Sequence, residues 1–307
     1  MPFQRIAVLG CGLIGGSFAL GLKANGYGGE IVGWDREEVL RRAQQRGAID
    51  RGSTELEPTV AEADLIYLAT PVTLILELLP LVGRAAKPGA LVTDAGSTKG
   101  RICRLAREAI PEGIAFLGGH PLAGKEKSGI ENASPGLFEG AKYVVVREAE
   151  EAEEAKEAEQ RGNRRGPESA EAIAEFLEWV RRLGAEPVEM DAETHDWAVA
   201  LTSHLPQLLS TALASAVWDE TDEDGLPLRL AAGGFGEMIR LAASPYEVWR
   251  DICLTNSDNI GRALERLEQK LERLRTHLRS KELAEEFAQA QRTCAMVRDR
   301  IGGSGDE

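Results

Sequence analysis

From Arg5 to Ser17 the chain reads RIAVLGCGLIGGS, a short aliphatic run followed by glycines at 10, 12 and 15. An apolar run this short, closed by glycines, is a buried strand, and the apolar spacing after the glycines opens a helix. At such a junction the unpaired amides of the first helical turn face the space above the strand end and favour an anion there. A chain starting this way is committed to a strand-turn-helix unit and to the sheet that such units build.

The pattern recurs. Residues 5–10, 30–35, 65–70, 90–94 and 114–117 read as strands, and amphipathic segments follow near 13–25, 36–46, 72–86 and 98–109. Residues 142–147, a helix over 169–183 and a strand over 186–190 complete a first domain, 1–190. Within it, 148–168 is an acidic, alanine-rich then glycine-arginine insertion with nothing to bury, read as solvated and without a binding role. From 191 to 307 strand signals vanish and helices are expected near 192–218, 226–242, 245–278 and 280–300. The expected fold is α/β, a doubly wound Rossmann-type parallel sheet followed by an all-α helical dimerisation domain. Ile260, Leu264, Leu267, Leu271, Leu274 and Leu278 recur at alternating spacings of four and three, a seam that calls for a partner helix. Packing within the chain would satisfy it; a homodimer interface is the sharper expectation.

Composition excludes several classes. With 307 residues, 43% hydrophobic, the chain has apolar material for two cores. A net charge of -14 disfavours nucleic acid and anionic membranes, though not a small anionic substrate in a locally basic pocket. No apolar run approaches the roughly 18 residues that span a bilayer, and the start lacks a signal peptide's charged head and cleavage site, so a cytoplasmic location is expected. Cys11, Cys103, Cys253 and Cys294 have neither disulfide-framework nor zinc-site spacing, and no metal is expected.

Gly10, Gly12, Leu13, Ile14 and Gly15 form the candidate pyrophosphate turn of a dinucleotide. Asp35 closes the second strand, where a carboxylate accepts both ribose hydroxyls and repels a 2′-phosphate. NAD is therefore expected over NADP, with the reservation that Arg36 could partly rescue the phosphate. Thr70, at the end of the third strand, joins the cofactor set. At the carboxyl end of the next strand lies DAGSTKG, residues 94–100. Ser97 could offer its hydroxyl to substrate or nicotinamide, or Ser97 or Thr98 could cap the following helix. Residues 116–129, FLGGHPLAGKEKSG, are expected after one further strand on the same edge. A neutral His120 there could accept the proton of a substrate hydroxyl as hydride leaves the same carbon; a structural histidine is the alternative.

These motifs, followed by His195-Asp196, TSHLP at 202–206 and GGFGEMIRLAASPYEVWRDI at 233–252, resemble the prephenate/arogenate dehydrogenase family of tyrosine biosynthesis. The resemblance covers about residues 5–260 and implies oxidation of a cyclohexadienyl alcohol by NAD(P) with loss of the ring carboxylate as CO2. It implies that His120 is the hydrogen-bond acceptor and that Arg240 binds the ring carboxylate, a bidentate task suited to a guanidinium. Ser97 would touch the substrate hydroxyl, Glu126 would gate the pocket, Trp249 would help wall it, and His204 would face the cleft. For His195 and Asp196 a domain-linking role and a catalytic one both stay open. Many members carry a histidine where this chain has Gln207, a position thought to meet the substrate side chain. A glutamine amide both donates and accepts, and by rotating could serve prephenate or arogenate alike. Prephenate is the expected substrate, with arogenate or dual use as the alternative. No regulatory domain or fused mutase is expected, so tyrosine feedback would act at the active site.

Two rivals belong to other classes. A β-hydroxyacid dehydrogenase would need a catalytic lysine in its helical domain, and 201–218 contains none. An NAD-sensing protein would need the glycine turn and Asp35 but would leave His120, Ser97 and Arg240 without a common purpose.

Overall fold

The computed structural model describes residues 3–125, 127–147 and 167–302, so Glu126 and nearly all of the 148–168 insertion lie outside the described residues. An eight-stranded sheet in the order β3-β2-β1-β4-β5-β6-β7-β8 organises the first part of the chain. The element sequence is β1 (Arg5–Leu9), α1 (Leu13–Ala24), β2 (Glu30–Trp34), α2 (Glu37–Gln45), β3 (Arg51–Ser53), α3 (Leu56–Val60), β4 (Leu65–Leu68) and α4 (Val72–Ala85). It continues with β5 (Leu91–Asp94), α5 (Gly100–Ala109), β6 (Ala115–Pro121), β7 (Lys142–Val146), α6 (Pro167–Arg182) and β8 (Glu186–Met190). Strands β1 to β6 are mutually parallel, β7 runs antiparallel to β6, and β8 is parallel to β7. The chain leaves β1 toward β2 and β3, then returns to β4 on β1's other side. This switch point is where open parallel sheets bind ligands, beyond the carboxyl ends of the strands.

Burial on both faces explains the near-continuous apolar strands. One face packs α1 and α6 through Phe18, Tyr67 and Phe176; the Phe18 and Tyr67 rings stack at 4.0 Å. The opposite face packs α4 and α5 through Ile75, Leu79, Val82 and Ile102. Two short elements, β3 and α3, went unforeseen, because a three-residue strand centred on Gly52 carries no alternation to read. More consequential is β6. The expected strand stops at 117, but antiparallel pairing of Gly118–Pro121 with β7 extends it, so His120 sits inside a strand, opposite Val144, rather than in a loop after it.

The helical part is more broken than its periodicity suggests. The 192–218 helix is α7 (Ala192–Val199) and α8 (Leu205–Asp219), joined by a π-helical turn (Ala200–His204). The next segment resolves into α9 (Leu226–Arg229), α10 (Gly233–Ile239) and a 3-10 turn (Arg240–Ala243). Then follow α11 (Tyr246–Thr255), α12 (Ser257–Thr276) and α13 (Leu283–Gly302). By contacts the chain forms two compact units, Met1–Ser257 and Asp258–Glu307. In the second, Lys270 and Glu286 join α12 to α13 at 2.7 Å, while Leu271 and Leu278 of the seam stay 50% and 69% exposed. No described helix is long and apolar enough to cross a membrane.

At the carboxyl edge the sheet contains an ion pair fully removed from water. Lys99 pairs with Asp94 and donates to the Gly119 carbonyl at 2.6 Å, and Asp94 accepts the amides of Gly96 at 2.8 Å and Gly119 at 3.1 Å. Removing one partner strands the other charge. Lys99→Met is expected to cost about 3–5 kcal/mol of unfolding free energy in a denaturant titration, and adding Asp94→Asn should recover part of the loss. Equal stability of Lys99→Met and wild type would show that the pair is dispensable.

Candidate active site

The glycine turn builds the floor of a cleft of about 550 Å³ lined by Gly10, Gly12, Asp35, Arg36 and Thr70, together with Trp34, Thr54, Ala69, Pro71 and Leu74. Gly10 has φ +95°, and a Cβ there would lie 2.6 Å from the Ala69 carbonyl oxygen. A Cβ on Gly15 would lie 2.0 Å from the Gly10 carbonyl oxygen, so α1 can follow β1 this tightly only with glycine. Leu13 and Ile14 form the first turn of α1, half-buried. Asp35 holds its carboxylate at the lip, accepting the Cys11 amide at 2.8 Å and the Arg36 amide at 2.7 Å. The Arg36 side chain is 89% exposed. Thr70 Oγ1 is buried with no hydrogen-bond partner among the described residues, a polar atom awaiting one. These features fit a dinucleotide: amides and glycines for pyrophosphate, a carboxylate for ribose and a spare hydroxyl.

At the neighbouring strand ends a second cluster forms. His120 Nδ1 lies 2.8 Å from His195 Nε2, and His195 Nδ1 lies 2.8 Å from Asp196 Oδ1. Asp196 in turn accepts the Lys99 amide at 2.7 Å and the Gly100 amide at 2.8 Å. It thus caps α5 from across the fold. Neither Ser97 nor Thr98 makes a side-chain cap: Thr98 meets Thr255 at 2.8 Å, and Ser97 is half-buried in the β5–α5 loop. Burial pushes the Asp196 carboxyl up, but the bonds from His195 and the two amides outweigh it and hold the group below the ordinary carboxylate range. Burial, then the neighbouring His195, Lys99 and His204, depress His120 well below the usual histidine range, so its ring is neutral at neutral pH.

His204, inward-facing in the π turn, is also buried; its Nδ1 meets Asn256 at 3.3 Å and its ring stands edge-on to Trp249 at 6.0 Å. Asn256 also donates to the Asp196 carbonyl at 2.7 Å, tying α11's end to α7. Gln207 is buried and its Nε2 donates to the Leu241 carbonyl at 2.8 Å, while Ser210 Oγ accepts the Ala242 amide at 3.0 Å. Since a carbonyl only accepts, this fixes the orientation of the Gln207 amide, and the free rotation expected from sequence is lost. Arg240 opens the 3-10 turn that these two bonds anchor and is exposed.

Residues 18–160 match the family description "Prephenate dehydrogenase, nucleotide-binding domain" and residues 191–292 match "Prephenate dehydrogenase, dimerization domain". A prephenate dehydrogenase of Lactococcus lactis is 38% identical over 86% of this chain and 68% of its own length. The chain belongs to the prephenate dehydrogenase family. Among solved structures, prephenate dehydrogenase from Aquifex aeolicus, in complex with hydroxyphenyl propionate and NAD+, superposes with a TM-score of 0.83 at 28% identity, covering 98% of this chain and 99% of that one. Synechocystis arogenate dehydrogenase superposes with a TM-score of 0.76 at 30% identity over 96% and 99%.

For this family member the structure thus gathers Gly10, Gly12, Asp35, Arg36 and Thr70 around one cleft, and links His120 to His195 and Asp196, and His204 to Trp249. Sequence reasoning missed Asn256 and the roles of Lys99 and Asp94, whose only signal was the DAGSTKG motif itself. His204 makes a stability prediction. Burial lowers its pKa to about 4 from an ordinary 6.5, so on acidification the unfolded chain takes up a proton first. Stability should fall from about pH 6.5 down to about 4 and then level off. His204→Gln should shrink the loss of unfolding free energy between about pH 7 and 5 by about 2 kcal/mol. An unchanged loss in chemical denaturation would clear His204.

Proposed function

We propose that the protein oxidises prephenate to 4-hydroxyphenylpyruvate with release of CO2, using NAD. The geometry that carries this reading is His120 at the carboxyl edge of a nucleotide-binding sheet, its Nδ1 lying 2.8 Å from His195 Nε2 in surroundings that disfavour a charged ring. Bound NAD supplies the hydride acceptor. Nε2 of His120 takes the proton of the C4 hydroxyl as hydride leaves C4; loss of the ring carboxylate as CO2 aromatises the ring, and the proton returns to the phenolic oxygen. Ser97 is assigned to the hydroxyl and Arg240 to the ring carboxylate. Residues 1–190 serve the nucleotide, and 191–307 serve substrate and self-association as a homodimer.

Dual use of arogenate is the second reading, supported by the Synechocystis relative and by Gln207, which carries no charge to oppose an ammonium. Offering prephenate, arogenate and a simple β-hydroxyacid in parallel, and following reduced nicotinamide by absorbance, tests the reaction; turnover of the β-hydroxyacid alone would overturn it. His120→Asn is expected to lower kcat by about 10²–10⁴-fold with NAD affinity nearly intact. Asp35→Ala should move preference toward NADP, and a wild type already preferring NADP would refute the role given to Asp35. Leu267→Asp with Leu271→Asp should convert dimer to monomer or aggregate in sedimentation, because the seam then buries unpaired charge.

A further inference from the structure

A histidine that must accept a proton has to present a bare nitrogen, and a neutral imidazole carries its one N–H on either Nδ1 or Nε2. Which nitrogen holds it is decided by the hydrogen bond made at the other. In this protein the decision can be traced outward from an atom of fixed character. The amides of Lys99 and Gly100 can only donate, and both point at the Asp196 carboxylate, at 2.7 and 2.8 Å. Asp196 is therefore an acceptor and takes the Nδ1–H of His195 across 2.8 Å. A His195 ring that carries its single N–H on Nδ1 presents a bare Nε2, which accepts the Nδ1–H of His120, again at 2.8 Å. His120 is left with its lone pair on Nε2. The orientation is enforced by burial: His195 is 1% and Asp196 5% exposed, so water cannot substitute at either link.

We propose that His195 and Asp196 are positioning residues for the reaction, which set the tautomer of His120 and hold the substrate proton while hydride transfer proceeds. The proposal rests on the dehydrogenase reading above. In the forward direction the hydroxyl O–H bond breaks and His120 Nε2–H forms; His120 Nδ1–H breaks and His195 Nε2–H forms. His120 ends neutral, and the positive charge rests on His195 against the Asp196 carboxylate. Hydride goes to NAD as the oxidant, and after CO2 leaves the proton retraces the chain to the phenolate oxygen, so no net proton is lost. Charging His120 itself would place a cation beside Lys99 and His204. Among the described residues, the groups that face this chain are Asp94 at the end of β5 with its partner Lys99 at the start of α5, His204 from the π turn and Asp196 on α7, the carboxylate in contact with His195.

Two measurements on the full-length protein test this. Only four histidines are present, so nitrogen-15 imidazole spectra of the ligand-free protein can resolve each. His120 should appear as the Nδ1–H tautomer, the reverse of the form that free histidine prefers in water; an Nε2–H His120 overturns the proposal. The second compares His195→Gln and His195→Leu. Glutamine's side-chain oxygen can still accept from His120 Nδ1–H but cannot take up the proton, whereas leucine does neither. His195→Gln should keep the His120 tautomer and KM but lose about tenfold to a hundredfold in kcat, and His195→Leu about 10²–10⁴-fold. In His195→Gln the acid limb of the kcat profile should also move to lower pH, since protonation then falls on His120 alone. A purely structural role would reduce folded protein without moving that limb, so kcat within about twofold of wild type and an unmoved limb reject the proposal. Wild type that leaves prephenate untouched would refute the reaction instead, and the tautomer measurement would still decide the chain.

Discussion

A buried carboxylate stays charged only where donors surround it, and two of them, Asp94 and Asp196, organise the carboxyl edge of this protein's sheet. Asp94 pairs with Lys99 and accepts the amides of Gly96 in the β5–α5 loop and of Gly119 in β6, which pins Gly119 and hence the strand carrying His120. Asp196 ends the dipole of α5, a favourable place for negative charge, and hands its remaining acceptor capacity to His195. Lys99 belongs to both networks, through its ammonium and through its amide. The position of His120 and its hydrogen-bonding character are therefore consequences of the same few groups.

The nucleotide cleft obeys a steric constraint rather than an electrostatic one. Gly10 and Gly15 leave no room for a side chain, and the absence of Cβ atoms lets α1 rise directly from β1 with its first amides open to the cleft. Asp35 reaches that space from β2, and Thr70 from β4, because the sheet places β2 and β4 on either side of β1. The cleft and the histidine chain thus sit at adjacent strand ends of one sheet, the cleft over β1, β2 and β4, and the histidine chain beside β5 and β6.

Most of the sheet was legible because buried parallel strands are apolar throughout and glycine turns punctuate them. What escaped reading had weak local signal. The three residues of β3 alternate nothing, and the end of β6 is made by a partner strand distant in sequence, so the GGHP segment looks like a loop until β7 lies beside it. In the helical half, apolar spacing predicted helix content but not the π turn that aims His204 inward, since periodicity averages over a single inserted residue. Gln207 shows the same limit: its amide is bifunctional as a residue type, but the Leu241 carbonyl permits one orientation.

By itself the sequence determined the strand-turn-helix unit, the parallel sheet that it starts, and the placing of Asp35 and of the DAGSTKG and GGHP segments at strand ends. These follow from short-range rules of period, turn chemistry and residue size. Tertiary structure alone decided that a carboxylate on α7 caps α5, that two histidines far apart in the chain share one hydrogen bond, and that His120 is therefore left with a bare nitrogen. Burial is the reason. Hydrogen bonds of fixed direction form where water is excluded, and which groups are shut away from water together is a property of the folded chain.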